Sequence, residues 1–443
     1  MDSVWIHIQT NITSRSPNLK SSVCSLLTLP SCSLHDRSIV IQNVLTLLTS
    51  TSPTTTSLHR LTMYQHLVWE RLNTGHWAEV WKGWRDLYGL ITVARVLAVA
   101  KLCEEEEVVV AENKLVGDVI RLCDLGIMLG GPVMGGVLEE IAEYLTEMVN
   151  RVSGDIKKDV KSSDGLKYAN ETGDAFPQKK LKLSAISSLS ACPDISTISL
   201  KLPLPLLPIP VISSPSLPTF LTQCKLPLTT TLLRDCMTDW PCMTGSTRWS
   251  CDRLVQLAGP RTVPVELGSK YTDNSWTQQL LTVERFVAKY MMEKNTKVGY
   301  LAQHQLLEQV PALGRDIMTP DYCYTGEEED EPDINVWIGP GGTVSPAHTD
   351  KKHNLLCQVV GTKYVALFYP EQGDKLYPHP SPMLTNTSMV DLDSPDMSKY
   401  PLLGKLQGYH TLLREGEMLY IPPLVWHYVR SLEQSFSVSF WWE

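Results

Sequence analysis

No Cys-x-x-C pair occurs in this chain, although it contains eleven cysteines. Zinc ribbons and dithiol redox sites use that spacing, so neither is expected. An odd number of thiols scattered from Cys24 to Cys357 is also a poor disulfide framework. Reduced thiols in the nucleus or cytoplasm are expected instead. Long apolar runs are missing as well, which excludes an evident membrane-spanning helix. The richest run, Leu202 to Ile212, is broken by Pro203, Pro205, Pro208 and Pro210. The first residues, Met1-Asp2-Ser3-Val4-Trp5, have neither a basic stretch nor a sustained apolar core, so a secretory leader is not expected. Basic excess is absent too. The formal net charge of −9 argues against a nucleic-acid-coating surface. It leaves solubility, or attraction of a cationic peptide, as uses for the acidic surplus.

What remains is an ordinary globular composition, 43% hydrophobic and 20% charged over 443 residues. That length is long for one core, and two domains are expected. Residues 1–150 read as helical, a partner-binding or scaffold domain. Val137, Leu138, Ile141, Leu145 and Met148 recur at helical spacing, with Glu139, Glu140, Glu143 and Glu147 on much of the opposite side. Further helices are expected near Met63 to Leu72 and Trp77 to Leu102, and a loop along the Thr/Ser run from Thr49 to Ser57. Residues 151–205 are polar and read as a flexible linker. Its Lys179-Lys180-Leu181-Lys182 cluster is compatible with nuclear import and, more plainly, with a solvated charge cluster. The segment Pro203 to Pro218 is expected to be an extended strap on the domain that follows, because Leu, Ile and Val fill its gaps.

From about Leu221 the pattern turns to strands. Val336 to Ile338, Leu355 to Val360, Tyr364 to Tyr369, Met418 to Ile421 and Phe436 to Trp442 are short, β-branched or aromatic, and bounded by Gly, Pro or charge. In the last, Phe436, Val438, Phe440 and Trp442 face one way and Ser437, Ser439 and Trp441 the other. Gly361-Thr362 reads as a tight hairpin. The fold class expected is α+β: a helical domain at residues 1–150, then a double-stranded β-helix, the cupin-type jelly roll, over 206–443.

Within this second half stand His348-Thr349-Asp350 and, further on, His427. Positions i and i+2 of a strand share a face, so His348 and Asp350 can bind one ion together. His427 follows Tyr420-Ile421-Pro422-Pro423, a strand closed by a proline turn, and can return a third ligand. Two imidazoles and a carboxylate are the facial triad of non-haem Fe(II) oxygenases. By these residues alone the set stays open between that triad, a structural zinc site, a cupin without catalysis and histidines satisfied in a core. Zinc usually wants four protein ligands. His353, at i+3 from Asp350, faces away.

The surrounding residues carry more. Tyr300-Leu301-Ala302-Gln303-His304-Gln305, Trp337-Ile338-Gly339-Pro340, Ser345-Pro346-Ala347-His348-Thr349-Asp350, Asn354, Gly361-Thr362-Lys363-Tyr364 and Trp426-His427-Tyr428-Val429-Arg430 occur in order. From roughly residue 221 to the end, the chain resembles the JmjC family of 2-oxoglutarate-dependent oxygenases, and within it members that hydroxylate arginine. The resemblance implies that His348, Asp350 and His427 hold Fe(II). It implies that Lys363 pairs with the distal carboxylate of 2-oxoglutarate, that Tyr300, Ser345 and Asn354 add hydrogen bonds to it, and that Gln303 borders it. Dioxygen would be the second co-substrate. Glu266, Trp276, Trp337 and Trp441 would line the substrate pocket, a set of acidic and indole groups suited to a guanidinium.

The implied function is hydroxylation of arginine in a protein or peptide, such as a histone tail or a ribosome- or chromatin-associated protein. Rival readings are a histone N-methyl-lysine demethylase, a histone-tail peptidase and a non-catalytic chromatin-binding protein. One departure from the family is visible. Proline often follows the motif aspartate, whereas Lys351-Lys352 stand here, two cations able to reshape the loop or repel a cationic substrate.

Overall fold

Apolar stripes at helical spacing build the first layer. The structure, a computed structural model, describes residues 2–15, 54–74, 83–105, 112–159, 205–268, 276–293, 298–326, 331–381 and 384–443, with Val44, Thr46, Val80, Leu200 and Leu202. The helices of the first part are α1 (Asp2–Ser14), α2 (Thr55–Leu72), α3 (Gly83–Glu105), α4 (Glu112–Leu129) and α5 (Val137–Asp159). Helix α3 is apolar nearly all round, and Leu87, Leu90, Ile91, Val93, Ala94, Val96 and Leu97 are all buried. It therefore runs through the middle, packed by α1, α2 and α4. Helix α5 turns Val137, Leu138, Ile141 and Leu145 inward, as its pattern required.

Two boundaries differ from the sequence reading. The Thr/Ser run is helical from Thr55, because Thr54 and Ser57 exchange hydrogen bonds in a capping box that satisfies free N–H groups of the first turn. Helix α5 continues past Asn150 to Asp159, into the segment read as linker. Residues 160–199, with the Lys179-to-Lys182 cluster, lie outside the described residues.

The second part is two facing sheets. One has the order β1-β11-β10-β13-β8 and the other β2-β3-β12-β9-β14-β7-β6-β4-β5. The strands are β1 (Leu207–Pro208), β2 (Val211–Ser213), β3 (Thr231–Arg234), β4 (Thr262–Leu267), β5 (Thr277–Thr282), β6 (Gly299–His304), β7 (Asp333–Gly339), β8 (Val344–His348), β9 (His353–Val360), β10 (Lys363–Phe368), β11 (Tyr409–Leu413), β12 (Met418–Ile421), β13 (Trp426–Ser431) and β14 (Ser435–Trp442). The proline-rich strap lies on this domain, as expected, but as two short strands. Leu207 pairs with Tyr409 in parallel, and Val211 with Leu232. Proline lacks the N–H of a ladder, which confines such a segment to sheet edges.

The turn Gly361-Thr362 is not a hairpin. Strand β9 pairs with β12 and β14, whereas β10 pairs with β11 and β13. The turn carries the chain from one sheet to the other, and two apolar strands flanking a glycine cannot by themselves distinguish these cases. Gly361 has φ of +78°, and a Cβ there would lie 2.0 Å from the carbonyl oxygen of Gln434.

The helical and β parts share buried polar contacts. The Asp124 carboxylate on α4 accepts from Arg261 Nε at 2.8 Å and from the Thr262 amide at 2.6 Å. Both Arg261 and Asp124 side chains are fully buried. Nearer the surface, Arg315 pairs with Glu143 at 2.8 Å, and Asn150 donates to the Gln256 carbonyl at 2.7 Å.

Gly361→Ala is expected to lower the unfolding free energy by at least about 2 kcal/mol, through a left-handed backbone that disfavours alanine and a clash with rigid main chain. Urea denaturation of the two proteins measures this. An unchanged midpoint and slope would show that the turn relaxes freely.

Candidate active site

Cross-strand register brings the chemistry together. On the antiparallel strands β8 and β13, His348 lies directly opposite His427, with ring centroids 4.1 Å apart. His348 ends its strand, so Asp350 reaches the site from the following loop and not along a shared strand face. The loop is held by the Leu424 amide, which donates to the Asp350 carbonyl at 2.7 Å. One ligand atom from each of His348, Asp350 and His427 falls within 4.8 Å of the others. His427 Nε2 is 3.6 Å from Asp350 Oδ2.

Both imidazoles are oriented from behind. His348 Nδ1 lies 2.7 Å from the Pro346 carbonyl, and His427 Nδ1 3.0 Å from that of Val425. A carbonyl only accepts, so each Nδ1 carries the proton and each Nε2 lone pair is free for an ion. Burial, and then the neighbouring His348, hold the His427 pKa well below its usual value. It is therefore neutral at pH 7, the form that ligates. His353 does face away, as expected. It meets Tyr420 Oη at 2.8 Å and stacks on Trp442.

Beside the triad the interior is polar. Lys363, the first residue of β10, is 2% exposed, so it is no surface lysine beside a turn. Its ammonium reaches Tyr300 Oη at 3.4 Å, and among the described residues it has no carboxylate partner. Burial lowers its pKa to about 7. Tyr300 is pushed up by burial and by nearby Glu266, against hydrogen bonds from Ser345 and Thr343, and stays a neutral phenol. Asn354, the second residue of β9, lines the same cavity as Tyr300 and Lys363. The cavity nearest the triad is lined by Tyr300, Ser345, Asn354 and Lys363 among others.

Tested against these groups, a bound metal and an acidic co-substrate fit. Asp350 Oδ2, Asn354 Oδ1 and Trp441 Nε1 are buried with no hydrogen-bond partner, and all three residues line that cavity. A native interior seldom leaves such atoms unsatisfied unless something binds there. Two imidazoles and a carboxylate suit a divalent first-row metal.

A wider cavity of about 300 Å³ opens from the triad, with Glu266, Gln303, Trp337 and Trp441 in its wall. Trp337 is fixed by donating from Nε1 to Ser439 Oγ at 2.8 Å, and it meets Trp441 edge-on. Burial raises the Glu266 pKa, opposed by a hydrogen bond from Trp276. Trp276 itself is 36% exposed and is not among the residues that line either cavity.

Among the lining residues that escaped the sequence reading are Leu384, Asn386 and Thr387. They come from an irregular segment with no periodicity or motif to mark it. Asn386 Nδ2 donates to the Thr349 carbonyl at 2.9 Å, the Thr349 amide donates to the Asn386 carbonyl at 2.9 Å, and Thr387 bridges His348. The segment thus splints the ligand loop. The two extra lysines behave differently from one another. Lys351 is exposed, while Lys352 pairs with Asp333 at 2.9 Å and Glu443 at 3.6 Å. The Lys352 charge is turned outward and offset. Of the acidic run from Glu327, only Glu331 is described, accepting from Tyr324 Oη at 2.8 Å.

Known proteins share this arrangement. A cupin-like domain family matches residues 230–443. The chain is 37% identical to Lysine-specific demethylase 8 of Xenopus tropicalis over 393 residues, which covers 84% of this chain and 86% of that protein. It is 39% identical to the protein of the same name from Danio rerio over 376 residues, 84% of each. It is 36% identical to Lysine-specific demethylase JMJ30 of Arabidopsis thaliana over 389 residues, 85% of this chain and 84% of that one. The chain belongs to the JmjC family of 2-oxoglutarate- and Fe(II)-dependent oxygenases. The coverage, 84–85% of this chain, extends into the part before the JmjC domain. Among the described residues no helix is long and apolar enough to cross a membrane.

Two outcomes are expected of this JmjC site. His348→Ala should abolish stoichiometric Fe(II) or Mn(II) binding in calorimetry while leaving the far-ultraviolet spectrum intact, since one of three ligand atoms is lost. The second concerns pH. A dicarboxylate seated against Lys363 would bind its ammonium form, and the pKa of that group in the protein is about 7. Below that pH the charge is already present, and above it each binding event must take up a proton. Affinity of the Mn(II)-loaded protein for 2-oxoglutarate should be level below pH 7 and fall towards roughly tenfold per pH unit above it. Equal affinity at about pH 6.5 and 8.5 would contradict this.

Proposed function

We propose that this chain hydroxylates arginine side chains in proteins or peptides of the nucleus or cytoplasm. The observation that carries the reading is the half-buried carboxylate of Glu266 in one wall with the indoles of Trp337 and Trp441, around a cavity that opens on the triad. In this reading His348, Asp350 and His427 hold Fe(II). Lys363 pairs with the distal carboxylate of 2-oxoglutarate, with Tyr300, Ser345 and Asn354 hydrogen-bonding it and Gln303 at its border. Iron(II) with 2-oxoglutarate and O2 supplies oxidative insertion of one oxygen into a substrate C–H bond.

The chain's own work is binding, orientation and exclusion of water. Glu266 offers two acceptor oxygens, which match the paired donors of a guanidinium. Because burial raises its pKa, its carboxylate gains more from a cation than an exposed one would. The Trp276 hydrogen bond fixes the direction of that carboxylate. Trp337 and Trp441 present faces and edges on which a planar cation can stack. Trp337 cannot swing aside without losing its bond to Ser439.

A second reading, N-methyl-lysine demethylation, is favoured by the names of the relatives and by the aromatic residues around the cavity. A methylated ammonium uses aromatic faces but gains no paired hydrogen bonds from Glu266. Incubation with Fe(II), 2-oxoglutarate and peptides containing arginine or methyl-lysine, followed by mass spectrometry, separates the two. One added oxygen on arginine is expected; a lost methyl group on lysine supports the rival. Turnover of neither, with no difference from His348→Ala, sinks both. Glu266→Gln should reduce kcat/KM for an arginine peptide by about 10- to 100-fold, the value of a charged hydrogen bond. Affinity for 2-oxoglutarate should stay within twofold of the wild type, by order of magnitude.

A further inference from the structure

Strand β6 carries both Tyr300 and Gln303 towards the site, yet it is not a regular strand. Leu301 pairs with Ile338 and His304 with Val336 on β7, and the register shifts between them. Two residues of β6, Ala302 and Gln303, therefore stand against Trp337 alone. This is a β-bulge, a device that re-aims side chains. Gln303 takes φ of +45° there, a left-handed conformation that is strained for a residue with a Cβ. Ala302 and Gln303 both line the cavity. A strained bulge persists only where neighbours hold it.

The hold comes from the next residue. His304 Nε2 meets Gln309 Oε1 at 2.6 Å, on the short helix α6 (Leu306–Gln309). The orientation of that amide is fixed, since Gln309 Nε2 donates to Asp124 Oδ1 at 2.7 Å and to the Thr262 carbonyl at 2.8 Å. Both partners only accept. The Gln309 oxygen must therefore face His304, and His304 must carry its proton on Nε2. Asp124 is held in turn by Arg261, which also donates from Nη2 to the Gln309 carbonyl at 2.7 Å. Gln309, Asp124, Arg261 and Thr262 are all 0–1% exposed. Asp124 belongs to α4, in the helical part.

We propose that Asp124, Gln309 and His304 form a positioning chain through which the helical part of the protein holds the β6 bulge and so keeps Tyr300 and Gln303 aimed into the active site. None of the three lines the cavity itself; they act through β6. The inference rests on the oxygenase reading of the site, but not on arginine as substrate. It gives the helical part a share in the active site, beside any partner it binds.

The test uses the full chain, loaded with Mn(II) and without turnover. His304→Leu removes the donor at similar size. His304→Gln keeps an N–H donor near the position of Nε2. Hydrogen–deuterium exchange over residues 299–304 and calorimetric affinity for 2-oxoglutarate are the readouts. His304→Leu is expected to speed exchange in β6 selectively and to weaken 2-oxoglutarate by about tenfold, with His304→Gln restoring both to within about twofold. Asp124→Asn, from the far end, should speed exchange in the same segment. Wild-type exchange and affinity in His304→Leu would overturn the proposal. So would exchange raised evenly over all strands, or a His304→Gln variant no better than His304→Leu, since either marks a purely structural residue. If arginine peptides are not hydroxylated while these readouts behave as expected, the substrate reading fails and the positioning chain stands.

Discussion

The antiparallel pairing of β8 with β13 is what the site depends on. It sets His348 across from His427, and the carbonyls of Pro346 and Val425 behind them choose the tautomer in which both Nε2 atoms are free. One residue of slip would turn one imidazole to the opposite face of its strand. Several restraints oppose that slip. Strand β13 is also paired along its length with β10, and Thr387 closes the other side of His348. The loop carrying Asp350 is pinned by the Leu424 amide and splinted by Asn386.

Around this frame the interior is built for charge. A lysine buried to 2% exposure beside a tyrosine, with unsatisfied oxygens on Asp350 and Asn354, by itself costs stability. A metal ion at the three ligands and an anion at Lys363 would offset that cost. The same low-exposure setting lowers the pKa of Lys363 and raises that of Glu266. Each shift follows from desolvation, and each is relieved by an opposite charge. The polar interior of the barrel thus prefers an anion at Lys363 and a cation at Glu266.

Much of this was legible in the chain, for local reasons. Strands such as Met418–Ile421 and Phe436–Trp442 announce themselves because alternate residues are apolar and β-branched or aromatic. Helix α5 does so because its apolar residues recur at 3.6. The ordered set from Tyr300 to His427 pointed to the family through residue types alone. Other features could not be read. Gly361-Thr362 looks like a hairpin, and whether the flanking strands pair depends on sheets formed by distant residues. Ser437 and Ser439 alternate with the core residues of β14 as solvent-facing serines would, yet they are buried because that face lines the barrel interior. Asn386 and Thr387 lie in irregular chain, where no periodicity exists to be seen.

The sequence by itself determined the two-part architecture, the chemical identity of the three ligand residues and the lysine beside them, because these follow from side-chain types and short-range patterns. Only the tertiary structure decided how they meet. It brought Asp350 in from a loop, buried Lys363 and left Trp276 out of the cavity wall. It also joined Asp124 of the helical part to His304 beside the bulge. These are contacts between residues far apart in the chain, fixed by strand register and by the burial of polar groups that must find partners.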